Sequence, residues 1–181
     1  MAQSEQGALF ENTELPDEHL GYRGPTACQA AGITYRQLDY WARTDLVQPT
    51  VRSATGSGTQ RLYSFKDILV LKVVKRLLDT GVSLQNIRVA VDHLRARGIE
   101  DLAGITLFSD GTTVYECTSA EEIVDLLQGG QGVFGIAVGG TMREMTGQLA
   151  KFPSERIEGA EEPAVAAADE LAERRRARNV G

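Results

Sequence analysis

The chain has 181 residues, 42% of them hydrophobic and 24% charged, with a formal net charge of −6. That length suits one or two small domains, each able to bury a core, while the acid excess taken whole argues against a nucleic-acid partner. No apolar run approaches the roughly 18 residues of a membrane span, the acidic start is unlike a signal peptide, and two isolated cysteines, Cys28 and Cys117, exclude a disulfide framework and a paired-cysteine zinc site.

The charge is unevenly placed. Residues 1–19 hold five acids and no Lys or Arg, whereas residues 20–98 hold 12 Lys or Arg against 5 acids. Residues 99–150 hold one Arg against eight acids, and residues 151–181 hold six Lys or Arg against seven. A basic module between acidic segments is the electrostatic footprint of a nucleic-acid binder with something else attached. A solvated basic face is the competing reading of charge alone. The free cysteines suit a reducing cytoplasm.

In chain order, residues 1–20 are polar, acidic and without periodicity, and read as a disordered N-terminus. Gly24-Pro25 favours a helix start, since proline is tolerated in a first turn. Thr26 to Ala31 then reads as a short helix stopped by Gly32. Thr34 caps a second helix from Tyr35 to about Arg43, with Leu38 and Trp41 turned inward and Arg36, Tyr40 and Arg43 on neighbouring turns. Two short helices around a glycine turn follow the helix-turn-helix plan, in which the second helix faces the major groove.

The small, glycine-rich run from Ser53 to Thr59 reads as a hairpin tip, and Gln60-Arg61-Leu62-Tyr63 as the strand returning from it. The run lacks the Gly-Lys-Ser/Thr ending of a phosphate loop. Ser64 with Asp67 resembles a capping box and opens a third helix, about Phe65 to Thr80, with Ile68, Leu71, Val74, Leu77 and Leu78 on one face. Lys72, Lys75 and Arg76 read as its solvated face. Gly81 stops it, and Ser83 caps a fourth helix, with Leu84, Ile87, Val91 and Leu94 apolar, to about Arg97.

The motifs ITYRQLDYW, QRLYSFKDI and LLDTGVSLQNIR, at this spacing, resemble the MerR family of bacterial transcriptional regulators over roughly Tyr22 to Arg97. The resemblance implies a winged helix-turn-helix that binds promoter double-stranded DNA as a homodimer on an inverted repeat. It implies action by DNA distortion, an indirect readout, with RNA polymerase as a further partner. Carried over by position, the DNA-facing set is Thr34, Tyr35, Arg36, Tyr40, Arg43, Arg61 and Tyr63. Arg36 is the base reader with Tyr35 beside it, because a guanidinium fork can pair with guanine. Tyr40 and Arg43 meet phosphate, and Arg61 and Tyr63 form the wing pair bracing the backbone. Two residues depart from the family's pattern. Asp39 stands where many members have Arg, so its turn either faces away from phosphate or pairs with an arginine. Asp45 replaces a frequent glycine after the second helix.

The remainder, residues 99–151, reads as a small ββαβα domain for dimerisation or sensing. Strands are expected at 105–108, 113–117 and 133–138, and helices over about 119–128, opened by Ser119 and Glu122, and 142–151. The glycines at 129–132 and 139–140 are turns, a pocket lining or a close subunit contact. Many members of the resembled family dimerise through a long helix after the fourth, but Arg97-Gly98-Ile99 interrupts any such helix here. Cys117 is a strand-core residue before it is a thiol sensor, and Cys28 a small apolar packing residue. Residues 152–181 read as a flexible charged tail, with 164–178 able to form a transient helix.

The expected fold class is therefore α+β: a mostly helical winged helix-turn-helix domain over 21–98, then the ββαβα unit, with disordered tails. The expected function is sequence-specific transcriptional regulation in a bacterial cytoplasm, at the nucleoid. A DNA-architectural or protein-interaction adaptor on the same winged fold is the alternative. No nucleophile–base pair, paired carboxylates or cofactor loop points to an enzyme, no cofactor is expected, and His93 reads as an exposed helical residue.

Overall fold

The computed structural model describes residues 17–53, 59–128 and 132–157. The expected disorder of residues 1–16, the wing tip at 54–58, the glycine turn at 129–131 and the tail from 158, including 164–178, lie outside the described residues.

A strand, β1 (Leu20–Arg23), runs directly into α1 (Gly24–Ala31), which carries Pro25 in its first turn and ends at Gly32 with φ 72°. That left-handed conformation is nearly free for glycine and costly for other residues. Next come α2 (Tyr35–Arg43) and β2 (Leu62–Tyr63). β2 pairs antiparallel with β1, Tyr22 opposite Tyr63 and Arg23 opposite Leu62. A bridge between Arg52 and Leu62 closes the base of the wing. α3 (Phe65–Asp79) starts from a reciprocal cap: Asp67 N–H donates to Ser64 Oγ at 3.0 Å, and Ser64 N–H to Asp67 Oδ2 at 2.8 Å. The same carboxylate accepts from the backbone N–H and the hydroxyl of Thr50, both at 2.8 Å, so the cap also anchors the first arm of the wing. α4 (Leu84–Ala96) starts on Ser83.

Beyond it lie α5 (Ile99–Leu102), β3 (Thr106–Ser109), β4 (Val114–Cys117), α6 (Ala120–Gln128), β5 (Phe134–Ala137), α7 (Val138–Leu149) and β6 (Glu155–Arg156). The described residues thus form seven helices and two antiparallel three-stranded sheets, in orders β2-β1-β6 and β4-β3-β5. Three expectations are corrected. The N-terminal segment is ordered strand from Leu20, because β1 has partners on both edges. The segment after 151 does not leave as a free tail, because β6 pairs with β1, Leu20 opposite Arg156 and Gly21 opposite Glu155. The last helix starts at Val138 rather than Met142 and runs through both glycines.

One hydrophobic core spans both halves of the chain, from Ala27, Leu38 and Trp41 through Leu71 and Val74 to Val138, Met145 and Leu149. Consequently α3 is covered on nearly every side, with Leu69, Val70 and Val73 buried beyond the face read from periodicity. Its basic residues are not a solvated face. Lys72 is only 8% exposed, and its ammonium donates to Glu144 Oε1 at 2.8 Å and Gln148 Oε1 at 3.3 Å on α7. Arg76 donates to Thr141 Oγ1 at 2.8 Å and to Glu144 Oε2 at 3.1 Å. The Lys72 hydrogen bond, with both cations nearby, holds the Glu144 carboxyl below the usual carboxylate value. Lys75 pairs within its own helix with Asp79 at 2.6 Å.

The two glycines of α7 do different work. A Cβ on Gly139 would sit 2.3 Å from the Ala103 carbonyl oxygen, whereas one on Gly140 would meet only side-chain atoms at 3.8 Å. Gly139→Ala should therefore destabilise the fold by about 1–3 kcal/mol or more through backbone displacement. Gly140→Ala should stabilise it by about 0.5–1 kcal/mol through helix propensity. Urea unfolding of the two variants checks the opposite signs.

Candidate nucleic-acid interface

α2 is held at both ends. At its start Thr34 Oγ1 accepts from Gln37 N–H at 3.2 Å, and Gln37 Oε1 accepts from Thr34 N–H at 3.0 Å, a complete capping box. At its end Thr44 Oγ1 donates to the Tyr40 carbonyl at 2.9 Å, and Arg88 reaches over from α4 to donate to the Thr44 carbonyl, also at 2.9 Å. The helix then leaves through Asp45, whose φ of 57° lies in the left-handed region. This is the position where the family pattern favours glycine, and aspartate is one of the few other residues that visit that conformation.

Leu38, Trp41 and Ala42 bury one face of α2. The other presents Tyr35, 62% exposed, and Tyr40, 54% exposed, with Arg36 and Arg43 also exposed. Asp39 lies between the two faces and settles the conflict that its charge raised. Its Oδ2 accepts from Arg43 Nη2 at 2.6 Å, one helical turn on, and its Oδ1 accepts from Arg61 Nη1 at 2.9 Å, from the wing. The Arg61 hydrogen bond, with the Arg43 and Arg61 charges, holds this carboxyl below the usual aspartate value. The acid does not confront phosphate as an unpaired charge. It fixes one arginine of the helix and one of the wing relative to each other.

Between α2 and the wing lies a cleft of about 490 Å³ bordered by Arg23, Tyr35, Asp39, Thr59, Gln60 and Arg61. The structure therefore brings Tyr35 and Arg61 to one concavity, and holds Arg43 to it through Asp39. Arg36 takes no part in the Asp39 pairs. Thr34 is exposed, but its hydroxyl is engaged in the cap. Arg23 and Gln60 belong to this surface and were not singled out from sequence; the basic excess of residues 20–98 counted Arg23 without placing it.

Tyr63 is corrected. It is 0% exposed, packed in the core opposite Tyr22 on β1, and its hydroxyl, close to the Arg61 guanidinium, makes no hydrogen bond of good geometry. Burial pushes its phenol up to about 12. From that position it offers no exposed surface to a DNA backbone. Cys117 is buried, and burial, with Glu122 and Glu116 nearby, raises its thiol; partly buried Cys28 is raised by burial alone. Neither has the lowered pKa of a reactive thiol. His93 is exposed. Among the described residues no group of three His, Cys, Asp or Glu is placed to hold a metal, and no helix is long and apolar enough to cross a membrane.

The buried, poorly partnered hydroxyl makes Tyr63→Phe informative. Removing it should leave stability unchanged or raise it by up to about 1 kcal/mol, and leave DNA affinity within about twofold. A fluorescence anisotropy titration with a DNA duplex and a urea melt read the two quantities. A large loss of affinity would mean that Tyr63 does reach the backbone.

Comparison with known proteins agrees with this geometry. The MerR HTH family regulatory protein model matches residues 22–94. Proteins named "uncharacterized HTH-type transcriptional regulator" from Mycobacterium bovis and Mycobacterium tuberculosis are 74% identical over 174 residues, covering 96% of this chain and 77% of the relatives. The HTH-type transcriptional regulator HmrR of Sinorhizobium medicae is 26% identical over 83 residues, 45% of this chain and 54% of that protein. With a capped second helix, a wing and these relatives, the chain belongs to the MerR family of helix-turn-helix transcriptional regulators.

Proposed function

We propose that this regulator binds promoter DNA as a homodimer on an inverted repeat, with α2 in the major groove and the wing on the flanking backbone. The observation that carries the reading is the outer face of α2. Tyr35, Arg36, Tyr40 and Arg43 stand in water above a buried face of Leu38 and Trp41, beside an arginine that Asp39 holds on the wing. Exposed aromatic and guanidinium groups along one helix are the chemistry of phosphate and base-edge contact.

Arg36 is the base reader, with Tyr35 adding contact beside it. Tyr40, Arg43 and Arg61 take phosphate, and Thr34 contributes by fixing the start of the reading helix. Transcription is controlled through distortion of the duplex, whose cost depends on sequence, and RNA polymerase is the second macromolecular partner. The site of action is the nucleoid in the cytoplasm. The C-terminal elements dimerise or receive a signal. The long dimerisation helix common in the family has no counterpart directly after α4, where α5 spans only Ile99–Leu102.

Footprinting on the DNA upstream of the protein's own coding sequence tests the reading. A single protected inverted repeat near a promoter supports it; scattered protection indifferent to sequence supports the architectural alternative. Arg36→Ala should relax base preference at one position and cost about 1–3 kcal/mol at the operator. Arg61→Ala should weaken all duplexes alike and reduce the salt slope by about one. Wild-type affinity and preference in both variants would sink the assignment.

A further inference from the structure

The last described residues of the chain return to the wing. Phe152 packs on the core, and β6 then lies along the outer edge of β1. It is fastened there by Ile157 N–H to the His19 carbonyl at 3.0 Å and by Arg156 to Asp17 at 3.1 Å. Glu155 is opposite Gly21 in this pairing, and Arg23 is opposite Leu62, which also bridges to Arg52. Strand alternation therefore puts Arg23, Arg52 and Glu155 on one face of the sheet.

There the Glu155 carboxylate accepts from both arginines: Oε1 from Arg23 Nε, and Oε2 from Arg52 Nη2 at 3.3 Å. One acid from the last described strand occupies two guanidinium groups of the wing. Both arginines remain open to water, their side chains 56% and 47% exposed. Arg23 borders the same cleft as Tyr35 and Arg61. Arg52 is anchored across the wing by its Nε on the Gln60 carbonyl at 3.0 Å, which leaves its outer nitrogens to whatever anion lies nearest.

We propose that Arg23 and Arg52 are phosphate contacts of the wing, and that Glu155 is an internal stand-in for phosphate which the duplex must displace. The inference rests on the DNA-binding reading above and adds a means of setting affinity. An exposed carboxylate–guanidinium pair is a weak interaction, so a phosphate with its several oxygens can replace it. The strand that carries Glu155 follows α7, and α7 is fixed to α3 through Lys72, Arg76 and Glu144. The position of the C-terminal elements therefore governs how firmly the two wing arginines are occupied.

The test uses the full chain and fluorescence anisotropy with two labelled duplexes, one carrying the footprinted operator and one of unrelated sequence, between about 50 and 200 mM salt. Glu155→Gln should bind both duplexes about two- to fivefold more tightly, with a salt slope steeper by about one. The gain should disappear when Arg23→Ala and Arg52→Ala are present. Glu155→Asp, which keeps the charge, should bind as the wild type does. Unchanged or weaker binding by Glu155→Gln overturns the inference. So does a gain that survives loss of both arginines, or an equal gain in Glu155→Asp, which would mark loosened packing. A wild-type chain that binds neither duplex defeats the DNA reading itself; one that binds while Glu155→Gln matches it defeats only this inference.

Discussion

The carboxylate of Asp39 is the constraint on which the interface depends. A reading helix and a wing can act on one duplex only if their separation is fixed, because docking two mobile elements adds an ordering cost to every binding event. Here the buried face of α2 fixes the helix to the core, and the Asp39–Arg61 contact fixes the wing to the helix. Arg43 is held by the same acid from the other side. The acid on the outer part of α2 thus carries two arginines and is not an unpaired charge, which suits the proposed contact with phosphate.

The remainder of the chain is built onto this frame, not strung beside it. Lys72 and Arg76 meet Glu144 across the α3–α7 contact, and the two halves share one hydrophobic core. α4 touches both: Arg88 donates to the end of α2, while the amide of Asn86 donates to the Thr112 carbonyl in the turn between β3 and β4. The acidic character of residues 99–150 therefore does not weaken the case for DNA. Part of it, Glu144 on α7, neutralises Lys72 and Arg76 of α3, and Glu155, just beyond, touches the wing directly.

Local chemistry was legible in the sequence and tertiary coverage was not. The bounds of α2, the Thr34 cap, the Ser64/Asp67 box, and the stops at Gly32 and Gly81 follow from side chains acting on adjacent backbone, whereas Gln37 as the partner of Thr34 was not read. β1 and β6 were missed because strands of four and two residues leave no periodic signal; each exists through its neighbours. Lys72 looked solvated because helical periodicity places a residue on a face without saying what packs there. Tyr63 was given a surface role by the family resemblance, which carries a position over without saying how deeply its side chain is buried. Gly139 read as a turn because glycine is a poor helix former, whereas its use is to let α7 approach the Ala103 carbonyl.

The central claim is that Asp39 acts by holding Arg61 in place, and a double-mutant cycle on operator affinity tests it most directly. Asp39→Ala and Arg61→Ala should each weaken binding, and the double variant should lose clearly less than the sum of the two, since holding Arg61 matters only while Arg61 is present and only the hold on Arg43 remains to be lost. Strictly additive losses would contradict the account. So would an Asp39→Ala protein that binds more tightly, the result expected if the acid merely repels phosphate.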